Sequence, residues 1–136
     1  MKSLIKSLLI STTILIFVSS SCIKTPYYPD FDHAGGYVIG KETCNANPDY
    51  DYWLVDLSFP LNTVTTYGDT ITIGGTFYTN MIKTTQLPAS FKVVGKKVSF
   101  DFHLSSGRVE TTVCTVAAPI TYKLKEMQVV ASGEIR

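Results

Sequence analysis

A chain of 136 residues has room for one domain with one modest core once an N-terminal leader is subtracted. Its 12 basic and 11 acidic residues nearly cancel, and the basic side chains beyond the leader (Lys24, Lys41, Lys83, Lys92, Lys96, Lys97, Arg108, Lys123, Lys125 and Arg136) are scattered among acids. That excludes the one-sided basic surface a nucleic-acid binder needs, so no nucleic acid is expected as a partner.

The first 21 residues fall into three zones: a positive start with Lys2 and Lys6, an apolar stretch from Leu8 to Val18 interrupted only by Ser11, Thr12 and Thr13, and Ser19-Ser20-Ser21 before Cys22. This is the pattern of a secretory signal. Its apolar part is shorter than the roughly 20 residues that cross a bilayer core. The segment resembles the signal peptides of bacterial lipoproteins, in which small residues precede a cysteine that is linked to diacylglycerol, freed by cleavage and N-acylated. Ser19 stands where leucine is usual. The resemblance implies that Met1 to Ser21 is removed and that Cys22 carries the lipid, a membrane anchor of about 0.8 kcal/mol per buried methylene. Ile23, in place of the aspartate that favours inner-membrane retention in enterobacteria, implies the outer membrane. Ile23-Lys24-Thr25-Pro26 carries no acidic cluster of the kind that accompanies surface export, which implies the periplasmic side.

Residues 22–35 are read as a flexible tether: Pro26, Pro29, Gly35 and the following Gly36 fall in a stretch, Ile23 to Gly36, without periodicity. From there to residue 136 the signal is period two. Trp53, Val55, Leu57 and Phe59 alternate with Leu54, Asp56 and Ser58, and Val98, Phe100, Phe102 and Leu104 alternate with Ser99, Asp101 and His103, which predicts two half-buried strands. Further strands are predicted over Tyr37–Glu42, Thr70–Thr79, Val109–Val116 and Tyr122–Ser132, with Gly74-Gly75 marking a bulge or sharp coil. One short helical turn is predicted over Leu87–Lys92, opened by Pro88 and ended by Gly95. The expected fold is all-β, a small five- to six-stranded OB-like barrel with one short helical turn. Closure removes the exposed edges of an open sheet.

Lipidation of Cys22 leaves two cysteines, Cys44 and Cys114. In an oxidising envelope they are expected to pair. Closing a loop of about 70 residues gives about 4.4 kcal/mol in the chain-entropy model, an upper figure because native strain is ignored. The competing readings are a zinc site or a reactive thiol. Two distant cysteines with only His33 and His103 available form no metal-ligand spacing, so no metal site is expected.

Gly36-Tyr37-Val38-Ile39-Gly40-Lys41-Glu42-Thr43-Cys44, Asp51-Tyr52-Trp53-Leu54-Val55, Leu87-Pro88 with Phe91-Lys92, Gly95-Lys96-Lys97-Val98 with Phe100, and Thr112-Val113-Cys114 together resemble small envelope lipoproteins of the Bacteroidetes, some with OB-like domains. The resemblance spans about two thirds of the chain and rests on structural positions. It implies fold, cysteine pairing and location, and it transfers no catalytic residue.

The densest chemistry lies in Asn45 to Trp53, where Asp49, Tyr50, Asp51 and Tyr52 alternate carboxylates with aromatics. Such a loop can offer a stacking platform with hydroxyl acceptors to a glycan or peptide; it reads more simply as turn chemistry at Asn47-Pro48-Asp49 and barrel-end packing of the tyrosines, with Trp53 continuing an inward strand phase. Calcium is not expected, because Asp49 and Asp51 lack the glycine and terminal glutamate of a calcium loop. Asp69-Thr70-Ile71 resembles the three-residue site at which Bacteroidetes periplasmic proteins are O-glycosylated, with Thr70 as the acceptor; it also reads as a turn opening a strand. Catalysis needs a nucleophile, a base and an orienting group, whereas His33 falls in the tether and His103 on an outward strand phase. The expectation is therefore a non-enzymatic module without cofactor, tethered to the membrane. Its partner would be a glycan, a peptide or an envelope protein; an accessory or inhibitor of an envelope enzyme or transport system is the alternative.

Overall fold

The computed structural model describes residues 30–59 and 65–135. The leader, Cys22 and the tether as far as Pro29 lie outside the described residues. Six strands follow in order: β1 (Asp32–Lys41), β2 (Trp53–Phe59), β3 (Asp69–Ile73), β4 (Thr76–Thr84), β5 (Lys97–Val109) and β6 (Leu124–Glu134). Single 3-10 turns stand at Pro48–Tyr50 and Ala89–Phe91. The second is the expected helical turn, with Pro88 just before it and Gly95 in the left-handed region at φ 84°. Among the described residues no helix is long and apolar enough to cross a membrane.

The strands close on themselves. β1 pairs antiparallel with β2 and with β5, β5 with β6, and β2 with β4; β4 meets β6 in parallel at Lys83 and Glu126. The ring β1-β2-β4-β6-β5 is a small OB-like barrel, and β3 stands outside it, paired with β4. Inward side chains fill the barrel: Val38 from β1, Val55 and Leu57 from β2, Ile82 from β4, Val98, Phe100 and Phe102 from β5, and Met127 from β6, all fully buried. Each large apolar side chain removed from water contributes about 1.5–3 kcal/mol. The Tyr67 ring meets Phe102 edge-on at 5.2 Å.

A second apolar cluster lies on the outside of the barrel. Leu54, Met81 and Leu124 are buried there, with Ile71, Ile73, Tyr78 and Tyr122 packed around them. β2 and β4 thus bury both faces, because β3 and the segment between β5 and β6 lie over them.

Four expectations are corrected. The strand predicted over Val109–Val116 does not form: β5 runs to Val109 and residues 110–119 are irregular. Their hydrogen bonds go elsewhere, Thr115 N and Val116 N both to the Cys44 carbonyl. Thr70–Thr79 is two strands, since Gly74 and Gly75 at φ 55° and 85° form a two-residue hairpin turn that only such residues accept readily. The first strand starts at Asp32, ahead of the tether boundary at residue 35, because this stretch is paired: Asp32 to Tyr37 lie against β5. A side chain at Gly36 would meet Val55 Cγ1 at 2.7 Å and the Asp56 carbonyl at 2.9 Å, so that glycine permits the approach of β2. Finally, His33 belongs to this strand, its Nδ1 hydrogen-bonded to the Asp101 carboxylate directly across the pair; it is no linker residue.

Candidate functional site

The loop joining β1 to β2 and the segment joining β5 to β6 meet at one end of the barrel. Cys44 and Cys114 form a disulfide between them. Thr43 and Ile120 exchange two backbone hydrogen bonds, of 3.0 and 2.9 Å, and Ala46 N donates to Thr115 Oγ1 at 2.8 Å. In OB barrels generally, the corresponding two loops and the sheet between them form the ligand face. Here the loops are latched to one another and the sheet beneath is filled by the chain's own side chains.

At the centre of that filling is a buried ion pair. Lys83 on β4 and Glu42 after β1 are both inaccessible to solvent and lie 3.0 Å apart. Lys83 Nζ donates to Glu42 Oε1, to Thr111 Oγ1 at 3.0 Å and to the Tyr122 carbonyl at 2.8 Å, and sits 4.4 Å from the centre of the Tyr52 ring. Thr111 Oγ1 donates to Glu42 Oε2 at 2.7 Å, and Tyr122 N to Oε1 at 2.8 Å. All three ammonium protons and both carboxylate oxygens are engaged, which is what makes a buried pair tolerable.

The four residues of the aromatic-acidic loop do not converge. Asp51 turns inward, is almost completely buried, and accepts from Cys44 N at 3.0 Å, Asn45 N at 2.8 Å and Asn45 Nδ2 at 3.2 Å. Burial pushes its carboxyl up, but the amides of Asn45 and Cys44, the Asn45 side chain and Lys41 at 3.7 Å outweigh that and hold it below its ordinary 3.8. Asp51 is therefore the cap of its own loop. Tyr52 is half-buried, with its hydroxyl donating to Glu126 Oε1 at 3.3 Å; burial first, then the charge of Glu126, its hydrogen bond, and Glu42 raise the phenol above 10.0. Asp49 and Tyr50 stay outside on the 3-10 turn, and the Tyr50 ring is 69% exposed.

Thr70 is exposed on β3, while the adjacent Asp69 is buried and tied by Arg108 Nε at 2.8 Å and Lys125 N at 2.9 Å. On the opposite wall, His33, Ser99, Asp101, Ser132 and Gly133 surround a cleft of about 180 Å³. A wider groove of about 430 Å³ is lined by Asp30, Asp32 and His103. His103 is exposed, as its outward phase predicts. Among the described residues no three His, Cys, Asp or Glu side chains gather closely enough to hold a metal ion.

The Lys83–Glu42 pair is absent from the sequence-based candidates. Its only signal is a lysine directly after Met81-Ile82 in a strand whose neighbours are all buried. Asn80 is a second such residue, its side chain accepting from Tyr67 N and Gly68 N and donating to the Leu57 carbonyl at 2.9 Å. Comparison with protein-family models, with curated proteins and with solved structures finds no match for this chain.

Proposed function

We propose that this chain is a lipid-anchored module of the bacterial cell envelope, held at the periplasmic face of the outer membrane through Cys22, whose barrel acts by binding or support and not by catalysis. The observation that carries the reading is the Cys44–Cys114 disulfide. It fits an oxidising compartment and leaves Cys22, behind its apolar leader, as the one cysteine free for lipid. Lys83, Glu42 and Asp51, the charged groups beneath the latched loops, are fully engaged with protein partners, which favours a structural role for them over a chemical one. A glycan or peptide at Asp49 and Tyr50, and carbohydrate on Thr70, fit the exposure of those residues.

A protein partner is the second reading. It is favoured by the apolar side chains left outside on the latched loops, Tyr50, Val113 at 81% exposure and Ile120 at 55%. In that role the module is an accessory or inhibitor of an envelope enzyme or transport system.

The anchoring is tested by expressing the full chain and its Cys22→Ser variant in cells fed radiolabelled palmitate. The native chain should take up label and appear shortened; the variant should remain an unlabelled precursor. Label on the variant would overturn the reading.

A further inference from the structure

We propose that the free edge of β3 is an interface between two copies of this chain, pairing β3 with β3 antiparallel across a two-fold axis centred on Ile71. Ile73 and Thr76 flank the two-residue Gly74-Gly75 turn and are register partners, so they form a hydrogen-bonded pair; Thr72–Phe77 is then a non-hydrogen-bonded pair, and Ile71–Tyr78 bonds again. It follows that the N–H and C=O groups of Thr70 and Thr72 point away from β4. Among the described residues nothing pairs with that edge.

Native sheets blunt such edges with charge, proline or bulges. β5 does so where it runs past β1: its register against β6 breaks between Leu104 and Arg108, and Arg108 supplies a charge. β3 does not. Residues 70–79 contain no charged side chain and no proline. Asp69, the one acid of β3, is buried and bonded to Arg108 and Lys125. The irregularity of the β3–β4 ribbon lies between Asp69–Met81 and Ile71–Tyr78, which places the extra residue on β4 and leaves β3 straight.

A second copy fits this edge better than an unrelated peptide because the strand is its own complement. Centring the pairing on Ile71 sets Thr70 against Thr72 of the other copy, and Thr72 against its Thr70. Both are hydrogen-bonded pairs, giving about four interchain backbone bonds. Ile71 then meets Ile71 in the closer, non-hydrogen-bonded site. Threonine pairs and β-branched pairs are favourable cross-strand neighbours, no like charges oppose each other, and a self-complementary patch is what a two-fold interface requires. Thr70 and Thr72 are exposed, so their replacement leaves the barrel interior untouched.

The test is sedimentation of the full chain in detergent with the micelle mass matched out, across a concentration series. The native chain should pass from monomer to dimer. Thr70→Lys with Thr72→Lys puts lysine opposite lysine twice and should raise the dimerisation midpoint by about tenfold or more. Thr70→Lys with Thr72→Glu puts opposite charges in the same two contacts and should dimerise at least as well as the native chain. Thermal melts of both variants establish that they fold. A native chain that stays monomeric at every concentration overturns the proposal. So does equal dimerisation of the two double variants, which would place any dimer contact on another surface.

Discussion

β2 and β5 carry the same alternating pattern and meet different fates. In β5, Val98, Phe100 and Phe102 point into the barrel while Ser99 and Asp101 are half-buried and His103 is exposed. In β2, Val55 and Leu57 point inward as expected, yet Leu54 on the opposite face is buried as completely as they are. The difference is the second layer. Over β2 and β4 lie β3 and the segment that Cys114 fastens to Cys44; among the described residues no such apolar layer covers the outer face of β5, where His33 and Asp101 pair across the ladder. Period two thus tells which side chains face the barrel interior, and a covering layer decides whether the other face is also core. The residue types agree at one position: Leu54 is the covered outward residue of β2, whereas its other outward residues, Asp56 and Ser58, are polar and half-buried like Ser99 and Asp101 of β5.

The largest expected effect comes from breaking the ion pair under the latch. Lys83→Ala leaves Glu42 buried without its cation and should cost about 3–5 kcal/mol of unfolding free energy, read from denaturant titration of the fluorescence of Trp53, the chain's single tryptophan. Glu42→Gln combined with Lys83→Met should cost less than the sum of the two single changes, because neither charge is then left alone.

Next in size is Leu54→Ala, expected to cost about 2–5 kcal/mol although Leu54 points away from the barrel interior. His103→Ala, at the equivalent outward phase of β5, should stay within about 0.5 kcal/mol. Equal small effects at both positions would show that the outer face of β2 is not a core.

What the sequence made legible follows the same division. The barrel interior could be read from β2 and β5, and the disulfide from the number of cysteines. The covering layer could not. Thr111, Thr112, Val113, Thr115 and Val116 favour strands by type, but Thr111 instead bonds Glu42 and Lys83, and Cys114 is held at Cys44. Gly74-Gly75 fits a bulge or a hairpin turn equally well until the strands have partners. Asp51 beside tyrosines reads as a ligand contact; which amides it accepts from depends on a loop conformation that no spacing reveals.

A smaller effect concerns that loop. The folded-state carboxyl of Asp51 lies below its ordinary value of 3.8, so it stabilises the protein above the unfolded-state value, and the contribution is lost as pH falls through the lower folded-state value. Asp51→Asn should therefore lose less stability between about pH 5 and pH 2 than the native chain, with the slope difference below about 1.4 kcal/mol per pH unit, the limit for one proton. Parallel acid titration curves for the two proteins would contradict the assignment.

The latch between Cys44 and Cys114 holds the covering layer in place. It is tested by denaturant unfolding of the exported chain before and after reduction, followed by Trp53 fluorescence, with alkylation and mass spectrometry counting free thiols in each sample. Cys44 and Cys114 should be unreactive before reduction. Reduction should then lower the unfolding free energy substantially, towards the upper limit of about 4.4 kcal/mol. Cys44 and Cys114 both alkylated from the outset, with an unfolding midpoint that reduction does not move, would contradict it.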